Sequence, residues 1–561
     1  MRASLEVLLL NRGIEPVFYE SDYNRFYEDA VVDAAKLVDF RPDLVYFCTS
    51  SQNLRGFPRL MASPDEIEAD IRRELSPFRQ AWEAICNTIP ACTIIQNNFE
   101  PWPWRTLGNL EGGCAWGVSS FVNRLNAALG DECRSNPRLK IVDAHGLAAD
   151  LGMQRWFSPA QWFSYKMAQT PEAAAYLANG VSALIAAVYG RSKKCLVLDL
   201  DNTLWGGVIG DDGLDRIQLG RETALAEAYT AFQLYCKGLR ERGILLAVCS
   251  KNDEQNARLG FKHPDSVLRV EDFSSFRANW SPKNENIEAI ARELNIGLDS
   301  LVFADDNPAE RALVRSQLPQ VAVPELGQDV SCFARILDEA GYFEPSALSS
   351  EDLERSQQYT ENAVRRQAEG AFQNYGEYLA SLEMEAEIQP FSPVYLDRIA
   401  QLTNKTNQFN LTTRRYTRAE LEDFAARDEC VTLYGRLSDR FGDNGLVTVV
   451  MGFIEGSAVE IDLWLMSCRV LKRDMELAML DKLVETALER GAKKLVGRYI
   501  RSAKNDMVAE HYRNLGFRCV SSSPDGSETL WELALDELHY RPRSRYIKDH
   551  ALGPRSSAGK N

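Results

Sequence analysis

The sequence predicts an α/β chain of several domains, and three observations carry that reading. Strand-like and helix-like runs alternate through the first third of the chain. Three apolar runs in the middle each stop at acidic or hydroxyl residues. The last part holds an alternating hairpin followed by a strongly periodic helix. A length of 561 residues fits about three domains on the usual length prior.

Met1 to Leu10 reads as a helix, with Leu5, Val7, Leu8 and Leu10 periodic and Gly13 closing it. Strand-like runs follow at Glu15-Pro-Val-Phe-Tyr19 and Leu44-Val-Tyr-Phe-Cys48. Pro64 to Thr88 is helical in pattern, Thr93-Ile-Ile-Gln96 is a strand before Asn97-Asn98, and a helix near Val118 to Leu129 leads to Lys140-Ile-Val-Asp143. This alternation gives a parallel sheet over residues 1–155. Trp156 to Gly190 is Ala-rich and helical, and is read as leading a second domain, 156–346.

That domain opens on Cys195-Leu-Val-Leu198, apolar throughout, as in a strand buried on both faces. It ends in Asp199 and Asp201, with Thr203 and the Gly206-Gly207 pair close behind. Ligands of open α/β sheets sit beyond the carboxyl ends of the strands. Two carboxylates there make a hard oxygen pocket suited to Mg2+ and phosphoryl chemistry, although an ordinary Asp/Asn/Gly turn reads the same way. Three later segments decide between them. Gly243 to Val248 is a second strand, running into Cys249-Ser250-Lys251-Asn252. Lys283 precedes a helix at Asn286 to Leu294. Leu301-Val-Phe-Ala304 is a third strand and delivers Asp305-Asp306, with a further strand expected at Val321. Phosphoryl oxygens need a cation and hydrogen-bond donors. The intervals between these segments leave no room for a large cap domain, so the mouth is open to a substrate presented on another protein.

Ser349 to Glu385 is charged throughout and reads as a solvated linking helix, 347–385. In the last domain, 386–537, Leu446 to Ile454 and Ala458 to Met466 form a hairpin. The turn Ser467-Cys-Arg-Val-Leu-Lys-Arg-Asp474 follows, then a helix from Met475 to Arg490, a strand Leu495 to Tyr499, and a helix from Lys504 to Phe517. The tail, 538–561, is basic and reads as disordered.

A net charge of -16 and a pI near 5.1 argue against nucleic acid or an anionic membrane as partner. Twelve cysteines stand singly and five histidines lie far apart, which supports neither a structural zinc nor a disulfide framework; reduced thiols in a cytoplasm fit better. The first residues lack a signal-peptide pattern, and no apolar run approaches membrane-span length.

The middle series resembles the haloacid dehalogenase superfamily of phosphotransferases. That resemblance implies Asp199 as nucleophile and Asp201 as general acid/base. It also implies Thr203, Ser250, Lys251 and Lys283 around the phosphate, and Asp199, Asp201, Asp305 and Asp306 around Mg2+. The first domain is similar to a degenerate SGNH-hydrolase-like fold without the Gly-Asp-Ser nucleophile, hence a binding or scaffold part in which Asn98 and His145 are turn residues. The last domain resembles the GNAT acyltransferase fold, with Arg469-Val-Leu-Lys472-Arg473-Asp474 where that family has its glycine-rich pyrophosphate loop. Both glycines are missing and Asp474 would repel a phosphate, while a groove for a pantetheine arm is expected to persist.

Nearly the whole chain resembles FkbH-like proteins, supported by Thr403-Asn-Lys-Thr-Asn-Gln-Phe-Asn-Leu-Thr-Thr-Arg-Arg415 and Ser438-Asp-Arg-Phe-Gly-Asp-Asn-Gly445. The resemblance implies a glyceryl transferase. It would use D-1,3-bisphosphoglycerate, a phosphorylated three-carbon substrate, hold the glyceryl group on a cysteine, and pass it to the phosphopantetheine thiol of an acyl carrier protein. Cys468, in a turn before a helix and beside Arg469, and Cys249, beside Ser250, are the candidate thiols. Arg469 is the candidate for substrate binding in that turn, and Arg414, Arg415, Arg498, Arg501 and Lys504 are candidates for docking the carrier. The alternatives are a stand-alone phosphatase fused to an acyl-CoA-dependent N-acyltransferase, and a noncatalytic binding module.

Overall fold

A computed structural model describes residues 1–549 apart from 23–24, 90–91, 349–351, 355–357, 360, 363–364, 366–371, 373, 407, 503 and 536–539. The chain forms two compact units, 1–189 and 190–561.

In the first unit, α1 (Arg2–Asn11) precedes three parallel strands in the order β1-β2-β3: β1 (Leu44–Phe47), β2 (Thr93–Asn97) and β3 (Leu139–Val142). The crossovers are α2 (Pro64–Thr88) and α3 (Val118–Ser135). Ser63 and Glu66 form a reciprocal capping box on α2, with Pro64 at its first position, where a missing N–H costs nothing. Glu15–Tyr19 forms no strand; Pro16 lacks a ladder donor, and Tyr19 packs its ring on Phe40 instead. The Ala-rich helix α4 (Pro171–Val188) packs with α1 and residues 144–151 around Leu5, Leu9, Ala148, Leu177 and Val181. It therefore belongs to this unit rather than leading the next. By length and hydropathy it could span a membrane, but more than half of that window is buried.

The second unit begins with a four-stranded parallel sheet in the order β6-β5-β4-β7: β4 (Cys195–Leu198), β5 (Leu245–Ser250), β6 (Ser275–Ala278) and β7 (Leu301–Ala304). Leu196 and Leu198 face one core, shared with α5 (Ala224–Glu241) and entered also by the loop after α6 (Glu254–Gly260). Cys195 and Val197 face the other, with α7 (Lys283–Leu294) and α8 (Pro308–Gln317). The strand expected at Val321 is reduced to one parallel bridge between Val302 and Ala322.

The charged link is not wholly solvated, and part of what is described of it is buried. Its described residues Asp352, Gln358, Tyr359, Asn362 and Arg365 are buried, and Tyr359 joins the core of β4, β5 and α7. Arg365 and Arg473 share the carboxylate of Asp439, at 2.8 and 3.3 Å, and both donate to Asn362. An internal carboxylate can bury a charge run that hydropathy alone assigns to solvent.

Then come β8 (Met384–Gln389), α9 (Leu396–Lys405), α10 (Arg418–Ala426), β9 (Cys430–Asp439), β10 (Gly442–Glu455), β11 (Ala458–Met466), α11 (Met475–Glu489), β12 (Lys494–Ile500), β13 (Arg518–Ser522), β14 (Glu528–Ala534) and β15 (Ile547–Asp549). They make one sheet, β13-β14-β12-β11-β10-β9-β8-β15, antiparallel except at β11/β12 and β8/β15. An α-α pair after the first strand and a helix between the two parallel central strands give the GNAT-like order. The helix expected over Lys504–Phe517 shrinks to single turns at Asp506–Val508 and His511–Asn514. The reason is Asn505, whose amide is committed to Asn410, Ile500 and Ser502 rather than to a helix face. The described tail residues 540–549 pack on the domain: Arg543 and Ser544 donate to Asp481, while Ser544, Arg545 and Tyr546 donate to Asp474. Residues 550–561 lie outside the described part.

Candidate active site

β4 is paired on both sides in register, Leu198 beside Val248 and Ala304. The next residues of three strands therefore converge at one edge. Asp199 donates its N–H to the Ala304 carbonyl at 3.0 Å, which fixes it beside Asp305. Asp199 and Asp305 are buried and Asp306 half-buried, each offering an oxygen within 4.8 Å of the others. Thr203, fully buried, donates to Asp306 Oδ1 at 3.3 Å and accepts its N–H at 3.2 Å. Ser250 closes β5, buried, and its carbonyl accepts from Asn279 N. Lys283 enters from the first position of α7: its Nζ lies 2.9 Å from Asp199 Oδ1 and is hydrogen-bonded to Asp305 Oδ2.

The electrostatics follow from burial. Loss of water and the neighbouring Asp199 push the Asp305 carboxyl well above the usual carboxylate range, against the pull of Lys283. Burial alone would lower Lys283, but Asp199 and Asp305 together hold its ammonium well above the ordinary range. Three hard oxygens around one small space, beside a single ammonium, suit a Mg2+ ion that keeps some of its own water.

The Asp201 carboxylate is not one of these three side chains. Its Oδ1 accepts from Trp205 Nε1 at 2.9 Å and from Ile209 N at 3.1 Å, and its Oδ2 from Asn252 Nδ2 at 2.9 Å. Lys251, expected at the phosphate, is half-exposed and ion-paired with Glu310 at 2.6 Å. Trp205, Asn252 and Arg311 were not singled out from the sequence. Arg311 donates to the carbonyls of Asp305 and Asp306 at 2.8 and 2.7 Å and so ties down the acidic loop. Asn252 follows Lys251 directly, so its place at a strand end was the available signal.

Cys249 is fully buried on the face of β5 opposite Ser250, its Sγ 3.7 Å from the Lys283 carbonyl. Burial holds its thiol far above the ordinary range despite Lys283, the opposite of what a nucleophile needs. The Cys468 side chain lies outside the described residues; its backbone opens a short turn, Cys468–Val470, that also carries the half-buried Arg469.

The groove expected for a pantetheine arm is filled. β11 and β12 pair only from Ala458–Lys494 to Ile461–Gly497 and then diverge. Phe409 to Thr412 lies in the opening. Leu411 N donates to Trp464 O (3.1 Å), Met466 N to Phe409 O (3.0 Å), Ile500 N to Leu411 O (2.8 Å), and Thr412 Oγ1 to Asp462 O (2.8 Å). Both apolar side chains are in the core. At the head of α11, where an acyl-CoA pyrophosphate would sit, Asp474 adopts φ 67° and its carboxylate takes the tail's N–H groups. These residues do not fit CoA. Of the expected docking cations, Arg414, Arg498, Arg501 and Lys504 form ion pairs with Asp462, Glu528, Asp506 and Asp299.

No protein-family model matches the chain. A comparison with curated proteins also gives no match. Among solved structures it is similar to the N-terminal part of the protein BF1531 from Bacteroides fragilis, which contains a phosphatase domain and was crystallised with Mg. The identity is 32%, covering 62% of this chain and 90% of that one, with a TM-score of 0.56. The ribosomal-protein-S18-alanine N-acetyltransferase from Escherichia coli is 12% identical over 28% of this chain and 99% of its own, at a TM-score of 0.21. The acetyltransferase yncA from Salmonella typhimurium is 16% identical over 28% and 99%, at 0.22. At that similarity the GNAT-like assignment rests on strand order.

Proposed function

The chain belongs to the haloacid dehalogenase superfamily, and on that premise we propose that it is a Mg2+-dependent glyceryl transferase acting on D-1,3-bisphosphoglycerate and the phosphopantetheine thiol of an acyl carrier protein. One observation carries the phosphoryl half of this reading: Asp199, Asp305 and Asp306 meet around Lys283 while Asp201 is held apart by three donors. Mg2+ held by the acidic trio would draw charge from the phosphoryl oxygens.

An Asp199 oxygen attacks phosphorus, and the bond from phosphorus to the ester oxygen breaks. Asp201 gives that leaving oxygen its proton. Water then loses a proton to Asp201 and attacks the same phosphorus, phosphate departs, and Asp199 is a carboxylate again. Attack at the phosphorus of the C-1 acyl phosphate would release a free carboxylate and discard the activation that a thioester needs. We therefore assign the C-3 ester phosphate to this site. At C-1 a thiolate forms the S–C bond as the C–O bond to phosphate breaks.

The burial of Cys249 favours Cys468 as the enzyme thiol. The filled opening between β11 and β12 counts against the alternative with acyl-CoA-dependent N-acyl transfer. Phosphate release should stop in EDTA and fall about 10²–10⁴-fold in Asp201→Asn; turnover that persists in EDTA refutes the phosphoryl half. Intact mass after incubation with substrate but no carrier tests the thiol, since only Cys468→Ala should lose the adduct that wild type and Cys249→Ala retain.

A further inference from the structure

The flap after β4 and the turn after β5 meet on one carboxylate. Trp205 is fully buried, yet its indole N–H ends 2.9 Å from Asp201 Oδ1. Its ring stands edge-on to Phe261, centroids 5.2 Å apart, and lies so close to Gly260 that a Cβ there would come within 2.6 Å of it. The flap itself is rooted on α5: Gln233 donates to the Leu204 carbonyl at 2.8 Å, and a Cβ on Gly206 would come within 2.8 Å of the Tyr229 ring. Asn252, 5% exposed, sits just ahead of α6 and reaches the other oxygen at 2.9 Å. Both ends of α6 thus serve one side chain.

We propose that Trp205 and Asn252 are positioning residues that hold Asp201 in the single orientation from which it exchanges a proton with the leaving oxygen, with Gly260 as the seat of the indole. This rests on the reading of Asp201 as general acid/base. A carboxylate on a short side chain has two soft torsions. Donors on both oxygens remove that freedom, and a displacement of about 1 Å at a reacting group can cost on the order of 10²-fold in rate.

The test is kcat/KM with Mg2+ on dinitrophenyl phosphate, nitrophenyl phosphate and glycerol phosphate, whose leaving oxygens need a proton increasingly. Trp205→Phe removes the indole N–H together with the far ring edge that packs on Gly260; Asn252→Ala removes a donor from a different element without touching that packing. Each should lose at least about tenfold more on glycerol phosphate than on dinitrophenyl phosphate, a smaller version of the dependence in Asp201→Asn. Equal loss across the series in both variants, or no loss, overturns the proposal, because damage to the fold does not sort substrates by leaving group. If Asp201→Asn itself loses equally on all three, the acid/base reading has failed first.

Discussion

Ile500 donates its backbone N–H to the carbonyl of Leu411 across 2.8 Å, although the two belong to segments that neither a hairpin nor a helix connects. The contact closes the opening where β11 leaves β12, so the chain itself supplies the ladder partners that a cofactor arm would otherwise supply.

It follows that calorimetric titration with CoA or acetyl-CoA should give no binding heat. Phe409, 4% exposed, is part of that seal, and Phe409→Ala should cost about 3–5 kcal/mol in denaturant melts without creating a CoA site. Stoichiometric acetyl-CoA binding by the wild type would overturn this view of the domain.

Lys283 is the cation that two buried carboxylates share. Lys283→Met should lower stability by about 3–5 kcal/mol, because removing one partner strands buried charge. It should also abolish measurable phosphate release. A variant that melts like the wild type would mean that Asp199 and Asp305 do not depend on the ammonium.

Asp439 is fully buried between Arg365 and Arg473. Burial first, and then the neighbouring Arg365, pull the Arg473 guanidinium below its ordinary range. Asp439→Asn should therefore destabilise the second unit by about 3–5 kcal/mol, more than Arg365→Met, which removes one of the two like charges. The reverse order in urea melts would rule out the shared carboxylate as the anchor of the link.

His511 is buried between Phe409 and Trp464, ring centroids 4.9 and 4.8 Å away, and its Nε2 has no hydrogen-bond partner among the described residues. Burial lowers its pKa from 6.5 to about 3. Below pH 6.5 the unfolded chain takes up a proton that the folded chain refuses, so stability falls as pH drops toward 3. This contributes on the order of 5 kcal/mol across that window. His511→Phe should remove that part of the acid sensitivity and leave pH 8 stability near wild type; parallel stability–pH curves for the two proteins would contradict the assignment.

Where local pattern and tertiary role coincide, the sequence was readable. Cys195–Leu198 is apolar because both faces are buried, and Asp199 follows because the strand ends at a site. Met475–Glu489 is periodic because one face packs on the sheet. Legibility failed where long-range partners decide. Nothing in Gln408-Phe-Asn-Leu-Thr412 says that β11 and β12 part to admit it. The burial of Arg365 depends on Asp439, which lies far along the chain. Asp201 and Asp305 look alike as strand-end acids, and it is the contacts from Trp205, Ile209 and Asn252 that set the Asp201 carboxylate apart from the acidic trio.

The proposed function requires Asp199 to remove an ester phosphate from a glyceryl group destined for a carrier thiol. Intact mass of a holo carrier protein incubated with enzyme, Mg2+ and D-1,3-bisphosphoglycerate tests it most directly. The wild type should leave the carrier bearing glyceryl without phosphate, and Asp199→Asn should leave it bearing phosphoglyceryl. An unmodified carrier with phosphate accumulating in solution would contradict the transferase and leave a phosphatase.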